Sequence, residues 1–258
     1  MQSPQSRWVT PLIWRLLLRF ASVAIPLLCR LRVTGDVPDA MRGGPLVLAG
    51  NHIGNYDPPA HVAACARRRI APRMMATGGL FRAPLFGWMM RASGHIPVHR
   101  GRADVGDAVA QATEALRHGS VVFIYPEGRI GLDPAMWPER PKTGLARMAL
   151  ATGAPVVPVA VWGTHEVIAY HGAGAMARTA FTALFRRPVV RVHFGEPVDL
   201  SDLRIGDVGA AQRASDRIMD AITEALAPLR EHELRLPRHV DHTRPLSTAR
   251  VRRPARRP

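Results

Sequence analysis

The chain has 258 residues, of which 47% are hydrophobic, and a formal net charge of +15. This length and apolar content exclude a disordered chain and are sufficient for one compact domain with a full core. The two cysteines, Cys29 and Cys65, are too few for a disulfide framework and lack the spacing of a zinc site, which indicates a reducing, cytosol-facing location.

Most of the positive charge lies at the two ends of the chain. Residues 1–34 contain five Arg and no acidic residue, and residues 237–258 contain seven Arg and one Asp, so the termini hold +11 of the net +15. A basic surface can bind nucleic acid or an anionic membrane, so charge alone does not distinguish the two. Residues 237–258 are rich in Pro and Arg without an apolar period, and they are expected to be a disordered tail.

The N-terminal segment 1–34 is expected to form an amphipathic, membrane-associated helix. It is apolar over 8–31, but its longest run without a charge, 20–29, has 10 residues, whereas a spanning helix needs about 20. Arg15 and Arg19 would each cost about 2.5–3.5 kcal/mol at the middle of a bilayer. A helix with an Arg face suits the membrane interface. A buried amphipathic helix and a tilted or re-entrant span are the alternatives, and the interrupted pattern argues against a signal peptide.

From residue 35 to residue 236, short apolar runs alternate with helical patterns. In chain order the predicted elements are strand 45–50, helix 58–69, strand 72–77, helix 81–92, strand 94–98, helix 104–117, strand 120–125, helix 143–152, strand 155–162, strand 188–194 and helix 207–229. This alternation predicts one α/β domain with helices on the faces of a sheet. Such sheets carry their chemistry where strands end, and three of these strands end in unusual polar groups.

The first polar group is NHIGNYD (51–57), which follows the first predicted strand. We predict that Asp57 caps the next helix and that the short loop folds its carboxylate back onto His52. A carboxylate bonded to one ring nitrogen fixes the tautomer and raises the basicity of the other nitrogen, so the pair can take a proton from a hydroxyl without a serine or cysteine nucleophile. The alternative is a surface histidine beside a capping Asp. The same spacing recurs at His99 and Asp104.

The second polar group is GHIPVHRG (94–101). Arg100 lies at a strand exit, beside a glycine that lets a ligand approach the backbone. A guanidinium fixed there can bind a phosphate through paired N–H donors. A solvated loop arginine is the alternative.

The third polar group is YPEGRIG (125–131). Arg129 is a candidate for holding a phosphate, and Glu127 is a candidate for accepting from a hydroxyl or for orienting Arg129. The alternative is a salt-bridged turn. Further along the chain, Lys142 precedes a predicted helix, and this helix start is a possible anion site.

Together these segments resemble the 1-acylglycerol-3-phosphate acyltransferase family. The resemblance covers about residues 35–200 and rests on four blocks in the family's order, of which the fourth is VVPVAV (156–161). Each block alone is unspecific, but four in order at these separations are specific. The resemblance implies a single glycerol-3-phosphate acyltransferase-like domain, with a mixed, mostly parallel sheet flanked by helices.

The resemblance also implies roles for individual residues. His52 and Asp57 would be the catalytic pair, Arg100 would bind the acceptor phosphate, and Glu127 and Gly128 would help to bind the acceptor.

The third block departs from the family pattern, which usually has one residue between its Gly and its Arg. Here Arg129 follows Gly128 directly, and Ile130 occupies the usual position of the arginine. The phosphate role of Arg129 is therefore less direct, and Arg100 and Lys142 are expected to carry more of it.

The activity that the resemblance implies is transfer of a fatty acyl chain from acyl-CoA or acyl carrier protein to the hydroxyl of lysophosphatidate, in phospholipid biosynthesis. His52 would act as general base, without an acyl-enzyme. We expect no metal and no bound cofactor beyond the thioester co-substrate. The expected partners are an anionic membrane surface, a lysophospholipid acceptor and the acyl carrier, but no nucleic acid. The expected location is the cytoplasmic face of the cell membrane, with peripheral or monotopic attachment.

Three alternatives remain open. The first is an acyltransferase for another lysolipid or glycolipid acceptor. The second is a non-catalytic basic protein that binds membranes or nucleic acid, although the aromatic content of 6% and the terminal placement of the charge argue against a nucleic-acid groove. The third is a metal hydrolase that uses His52, Asp57 and Glu127, whose spacing matches no common zinc site.

Overall fold

The computed structural model describes residues 8–99, 104–233 and 235–245. Within these residues seven strands form one sheet with helices on both faces, so the predicted α/β fold is confirmed. The strands are β1 Arg30–Gly35, β2 Leu46–Gly50, β3 Arg73–Thr77, β4 Ile96–Val98, β5 Val121–Ile124, β6 Val156–Trp162 and β7 Val189–Phe194. The helices are α1 Leu12–Leu28, α2 Asp57–Arg67, α3 Gly78–Arg82, α4 Pro84–Ala92, α5 Asp104–Arg117, α6 Gly144–Thr152, α7 Ala173–Arg186 and α8 Ala210–Leu226.

The strands lie in the order β1-β7-β6-β2-β5-β3-β4. All neighbouring pairs are parallel except β6 and β7, which are antiparallel. The sheet is therefore mixed and mostly parallel, as expected. Because β6, β2 and β5 are adjacent and parallel, their carboxyl ends meet at one edge of the sheet.

The core lies on both faces of the sheet, because both faces are covered by helices. In β2, Leu46 and Leu48 pack with α2 on one face, while Val47 and Ala49 pack with α5, α6 and α8 on the other. All four side chains are fully buried. A strand buried on both faces reads as a continuous apolar run, which is why the sequence of β2 lacks alternation. Full burial of each large apolar side chain contributes about 1.5–3 kcal/mol.

The predicted boundary between residues 34 and 35 is wrong. The N-terminal helix ends at Leu28, and β1 then joins the sheet by pairing with β7. In β1, Leu31 is buried, and its neighbours Arg30 and Arg32 are both exposed. Arg30 and Arg32 are thus outward side chains of an edge strand, whereas Arg15 and Arg19 do lie in the N-terminal helix.

Helix α1 packs one face on the domain. Trp14 and Leu18 are buried, and the indole Nε1 of Trp14 donates to the carbonyl oxygen of Pro72 at 3.1 Å. The opposite face is exposed and apolar, at Leu12, Leu16, Phe20, Val23 and Leu27. In the part of the chain that the structure describes, every helix is too short or too polar to cross a membrane.

The expectation of disorder from Pro237 onward is wrong for residues 237–245. Asp241 and Arg244 are buried, and their side chains bond to the backbone of the domain. The composition of the segment predicted disorder because it has no apolar period, but buried polar contacts order it instead. The rest of the predicted tail, 246–258, lies outside the described residues.

Candidate active site

The polar motifs of the sequence meet at the edge where β2, β5 and β6 end. Asn51 begins the loop after β2, and its buried side chain fixes that loop to β6. The Asn51 amide nitrogen donates to the carbonyl oxygen of Val161 at 3.0 Å, and the Val161 N–H donates to the Asn51 side-chain oxygen at 2.7 Å. The next residue, His52, therefore leaves the sheet from a defined backbone position.

His52 and Asp57 form the pair that the spacing predicted. Nδ1 of His52 lies 2.8 Å from Oδ2 of Asp57. An ionised carboxylate can only accept, so Nδ1 carries the ring proton and Nε2 of the neutral imidazole is a free base. The ring of His52 stacks on Tyr125 with centroids 4.2 Å apart, and its side chain is 15% exposed. Packing thus fixes the ring while leaving it accessible.

The Asp57 carboxylate is completely buried and accepts four hydrogen bonds. Oδ2 also accepts from the backbone N–H groups of Ile53 at 2.5 Å and Gly54 at 2.8 Å, and Oδ1 accepts from the hydroxyl of Thr164. Burial, the largest single influence, acts to raise the pKa of Asp57, but the bonds from His52, Thr164 and Gly54 outweigh it and the pKa lies below its ordinary value. Asp57 is therefore an anion held in place for His52.

The predicted capping role of Asp57 is wrong. Helix α2 begins at Asp57 itself, and no side chain caps its first turn. The carboxylate turns back toward the preceding loop instead, because the N–H groups of that loop and the His52 ring take up its oxygens.

Glu127 braces the loop that carries His52. Its side chain is buried, Oε1 accepts from the His52 backbone N–H at 3.0 Å, and Oε2 accepts from the Glu139 backbone N–H at 3.0 Å. Burial, reinforced by the nearby carboxylates of Glu139 and Asp57, raises the pKa of Glu127 to about 8. Both oxygens bond to backbone groups in this geometry, so direct binding of an acceptor by Glu127 stays a prediction.

The loop after β5 also places two cations on the cavity wall. Arg129 pairs with the buried Glu139, at 2.7 Å between Nη2 and Oε2, so its charge is largely neutralised. Lys142 is exposed, lines the same cavity and makes no ion pair with any residue of the described ranges. Gly128 has φ +71° and lies on the wall between them. Of the two cations that the described residues place on this wall, Lys142 is therefore the one available to an anionic ligand.

Two other predictions, the role of Arg100 and the His99–Asp104 spacing, are not settled by the structure. Arg100 lies outside the described residues. His99 is exposed at the end of β4, and the side chain of Asp104 also lies outside the described part of the chain. The phosphate role of Arg100 stays a prediction.

A cavity of about 520 Å³ is lined by His52 together with Gly128, Arg129 and Lys142. Ligand pockets generally have about 300–1,000 Å³. The remaining wall is mostly apolar and comes chiefly from α1, α2, β3 and α4. Phe20 of α1 and Phe86 of α4 line the cavity, yet they are 69% and 45% exposed, so the cavity reaches the protein surface at these two helices.

Three further residues of the site, Asn51, Thr164 and Arg244, were not predicted from the sequence. Asn51 lies inside the first block, but its contact with Val161 spans 110 positions. Thr164 follows β6 after Gly163, whose φ of +92° and close approach to the Val189 carbonyl allow no side chain. A Gly-Thr pair at the end of a buried strand next to β2, here Gly163 and Thr164, is the sequence feature that could have indicated a polar residue of the site. Arg244 gave no signal, because the composition around it is that of a tail.

Comparisons with known proteins found a matching family model and several named relatives. A family model described as Acyltransferase matches residues 30–162. The chain is 28% identical over 130 residues to the 1-acyl-sn-glycerol-3-phosphate acyltransferase BAT2, chloroplastic, of Brassica napus, which covers 50% of this chain and 36% of that protein. It is 26% identical over 143 residues to the 1-acyl-sn-glycerol-3-phosphate acyltransferase of Haemophilus influenzae, which covers 54% of this chain and 57% of that protein.

A third relative is the N-acylphosphatidylethanolamine synthase of Arabidopsis thaliana, 28% identical over 123 residues, with 45% of this chain and 42% of that protein covered. The chain thus spans between a third and three fifths of the length of the relatives it matches. Among solved structures, the fold is similar to that of the 1-acyl-sn-glycerophosphate (LPA) acyltransferase PlsC of Thermotoga maritima. The TM-score is 0.59 at 20% identity, with 82% of this chain and 78% of that chain covered.

Proposed function

Because this chain belongs to the acyltransferase family, we propose that it moves a fatty acyl group from a thioester donor to the hydroxyl of lysophosphatidate. The donor is acyl-CoA or acyl carrier protein, and the product is a diacylated glycerol phosphate. The relatives named 1-acyl-sn-glycerol-3-phosphate acyltransferase support this choice of acceptor.

The observation that carries the proposal is the His52–Asp57 pair at the wall of an apolar cavity. Nε2 of His52 takes the proton of the acceptor hydroxyl, and the oxygen attacks the thioester carbonyl. The C–S bond then breaks, and His52 returns the proton to the leaving thiolate. The buried Asp57 anion favours the imidazolium that forms in between, as general-base catalysis requires. No side chain becomes acylated in this scheme.

The cavity wall has an apolar surface and a cationic residue, which suit different parts of the substrates. Its apolar surface suits a fatty acyl chain, since burial of each CH₂ contributes about 0.8 kcal/mol. Lys142, exposed on the same wall, suits the phosphate of the acceptor as a point charge. Arg129, already paired with Glu139, mainly orders the loop that positions Lys142.

We also propose that the protein works on an anionic membrane surface, at the cytoplasmic face of the cell membrane. The exposed face of α1 combines apolar side chains such as Leu16 and Val23 with the exposed cations Arg15 and Arg19. Such a helix suits the plane of the interface. The cavity reaches the surface beside α1, so a lipid can enter it from the bilayer.

The test is turnover of palmitoyl-CoA with lysophosphatidate by the purified protein, with free thiol and lipid product followed together. We expect wild type to form product and His52→Ala to lose several orders of magnitude in kcat. His232→Ala is the matched control, because His232 is exposed and its ring contacts Glu231 in a solvated turn. Near-normal turnover by His52→Ala would exclude the general-base role.

The acceptor and the donor are tested in the same assay. Acyl carrier protein replaces CoA, and other lysolipids and phosphatidylethanolamine replace lysophosphatidate. The amine of phosphatidylethanolamine is included because one relative is named N-acylphosphatidylethanolamine synthase. If only another acceptor reacts, the chemistry stands and the lysophosphatidate assignment is wrong. If none reacts with either donor, the acyl-transfer proposal is refuted.

A further inference from the structure

Arg244 lies far beyond the region that the family model matches, which ends at residue 162. Its side chain is nevertheless 4% exposed and reaches the active-site loops. Nη1 donates to the carbonyl oxygen of Gly131 at 2.7 Å, and Nη2 donates to the carbonyl oxygen of Ile53. One guanidinium thus joins the loop after β2 to the loop after β5.

Both of these carbonyls belong to the immediate support of His52. Ile53 is the next residue in the chain, and its N–H donates to Asp57. The N–H of Gly131 donates to the carbonyl oxygen of His52 at 2.7 Å. Glu127 accepts from the N–H of His52 on the other side. The peptide groups around His52 are therefore fixed by Glu127, Gly131 and Arg244 together.

The segment that carries Arg244 is itself anchored. Oδ2 of Asp241 accepts from the N–H of Tyr170 at 2.6 Å, and Oδ1 accepts from the N–H of Thr243 at 2.9 Å. The guanidinium of Arg244 lies 5.3 Å from the centroid of the Tyr170 ring. These contacts bind the segment to the loop before α7, so Arg244 is presented from a fixed backbone rather than from a free end.

We propose that Arg244 is a positioning residue for the acyl transfer, holding the His52–Asp57 loop against the loop of Glu127 and Gly131. This inference rests on the proposed function. Arg244 is not one of the side chains that line the cavity, so it acts on catalysis through the loops and not through the substrate. The planar guanidinium places two donors in a fixed fork, which a lysine ammonium cannot reproduce. A displacement of about 1 Å at a reacting group can cost about 100-fold in rate.

The experiment compares Arg244→Gln and Arg244→Lys with wild type and with Arg238→Gln. Arg238 is an exposed arginine of the same segment, so its replacement removes the same charge without touching the loops. Steady-state kinetics with palmitoyl-CoA and lysophosphatidate give kcat and KM for both substrates. Amide hydrogen exchange reports on 51–57 and 126–133, with peptides of α8 as the internal reference. Thermal unfolding reports on the folded fraction.

We expect Arg244→Gln to lower kcat at least tenfold with each KM within threefold of wild type. Exchange should quicken in 51–57 and 126–133 but not in α8. Arg244→Lys should lower kcat less than Arg244→Gln does, and Arg238→Gln should match wild type in kcat and in exchange. Unchanged kcat and exchange in a folded Arg244→Gln would overturn the proposal, as would a rise in KM alone. If Arg244→Gln does not fold, Arg244→Lys decides by the same criteria. If wild type itself is inactive, the proposed function fails, and the exchange data alone decide whether Arg244 holds the loops.

Discussion

The hydroxyl of Thr164 donates to Oδ1 of Asp57, the carboxylate oxygen that His52 does not use. Both side chains are completely buried, and Thr164 begins a short 3-10 turn that only Gly163 separates from β6. The bond therefore ties the Asp57 carboxylate, which we propose assists catalysis, to the end of a neighbouring strand. It fixes the rotation of the carboxylate and stabilises its ionised form, both of which His52 needs.

We expect Thr164→Val to lower kcat about tenfold. Valine keeps the shape of threonine but not its hydroxyl, and a hydrogen bond to a charged group contributes about 1.5–3 kcal/mol; each 1.36 kcal/mol of barrier corresponds to a tenfold change in rate. Steady-state kinetics with lysophosphatidate check this. Thr164→Ser, which keeps the hydroxyl, should stay within about threefold of wild type. Equal losses in Val and Ser variants would show that the methyl group matters and the hydrogen bond does not.

The sequence predicted the buried elements of the fold well, because their patterns are dictated by burial itself. The strands β2, β5 and β6 are apolar runs, and each appears in the structure within a residue of its predicted bounds. β1 was missed because it is an edge strand with outward arginines. α7 was missed although it has apolar residues at helical spacing; Ala183 is its one buried residue, and its large side chains Phe181, Leu184 and Phe185 are exposed.

In the candidate site too, contacts within a short stretch of sequence could be predicted and contacts between distant segments could not. His52 and Asp57 are five residues apart, so their pairing could be predicted from a short loop. Thr164 and Arg244 lie 107 and 191 positions from the residues they contact. No local pattern reports contacts at such separations, since they exist only after β6 and the C-terminal segment have packed beside β2.

Lys142 provides a test of how the acceptor phosphate is bound. We expect Lys142→Met to raise the KM for lysophosphatidate about tenfold, because one charge-assisted contact of about 1.5 kcal/mol is lost. The KM for the acyl donor should change little. Monoacylglycerol, which lacks the phosphate, should be turned over equally by wild type and variant. A matching loss with monoacylglycerol would contradict a phosphate contact.

Arg129→Met serves as the contrasting variant in that experiment. It should act mainly on stability, since it removes the cation from the buried Glu139, whose Oε2 then loses the donors of Arg129 while Oε1 keeps the bond from the Leu132 N–H. Leaving a buried charged group partly unsatisfied costs about 1–3 kcal/mol or more. Urea unfolding measures this. A phosphate-specific rise in KM for Arg129→Met with unchanged stability would instead assign the phosphate to Arg129.

Glu127 provides a prediction about pH and stability. Its pKa is raised from 4.5 to about 8, chiefly by burial. Between these two values the folded protein holds a proton that the unfolded chain has released, so this group makes the free energy of unfolding fall as pH rises through that window. Glu127→Gln lacks the dependence. Between pH 5 and pH 8.5, the free energy of unfolding of wild type should therefore fall by about 1 kcal/mol or more relative to that of the variant, since one pKa unit corresponds to about 1.36 kcal/mol.

Urea unfolding of both proteins across this range measures the difference. Two buried histidines, His61 and His95, have pKa values lowered to about 4 by burial and so contribute with the opposite sign between pH 4 and 6.5. They are present in both proteins and cancel in the comparison. A difference that stays constant from pH 5 to pH 8.5 would mean that Glu127 is ionised throughout.

The exposed face of α1 gives the prediction about membranes. We expect Leu16→Glu to weaken binding to vesicles of 30% anionic lipid about tenfold or more, because it replaces a side chain whose burial contributes about 1.5–3 kcal/mol with a charge that the anionic surface repels. Leu16 is 53% exposed and is not one of the residues that line the cavity. Turnover of a short-chain, water-soluble acceptor should therefore be unchanged, whereas turnover of vesicle-borne lysophosphatidate should fall with binding.

Val208→Glu is the matched control, since Val208 is 94% exposed before α8 and the substitution adds the same charge. Sedimentation with vesicles measures binding, and an equal loss for both variants would mean that net charge, and not the apolar face of α1, holds the protein on the membrane.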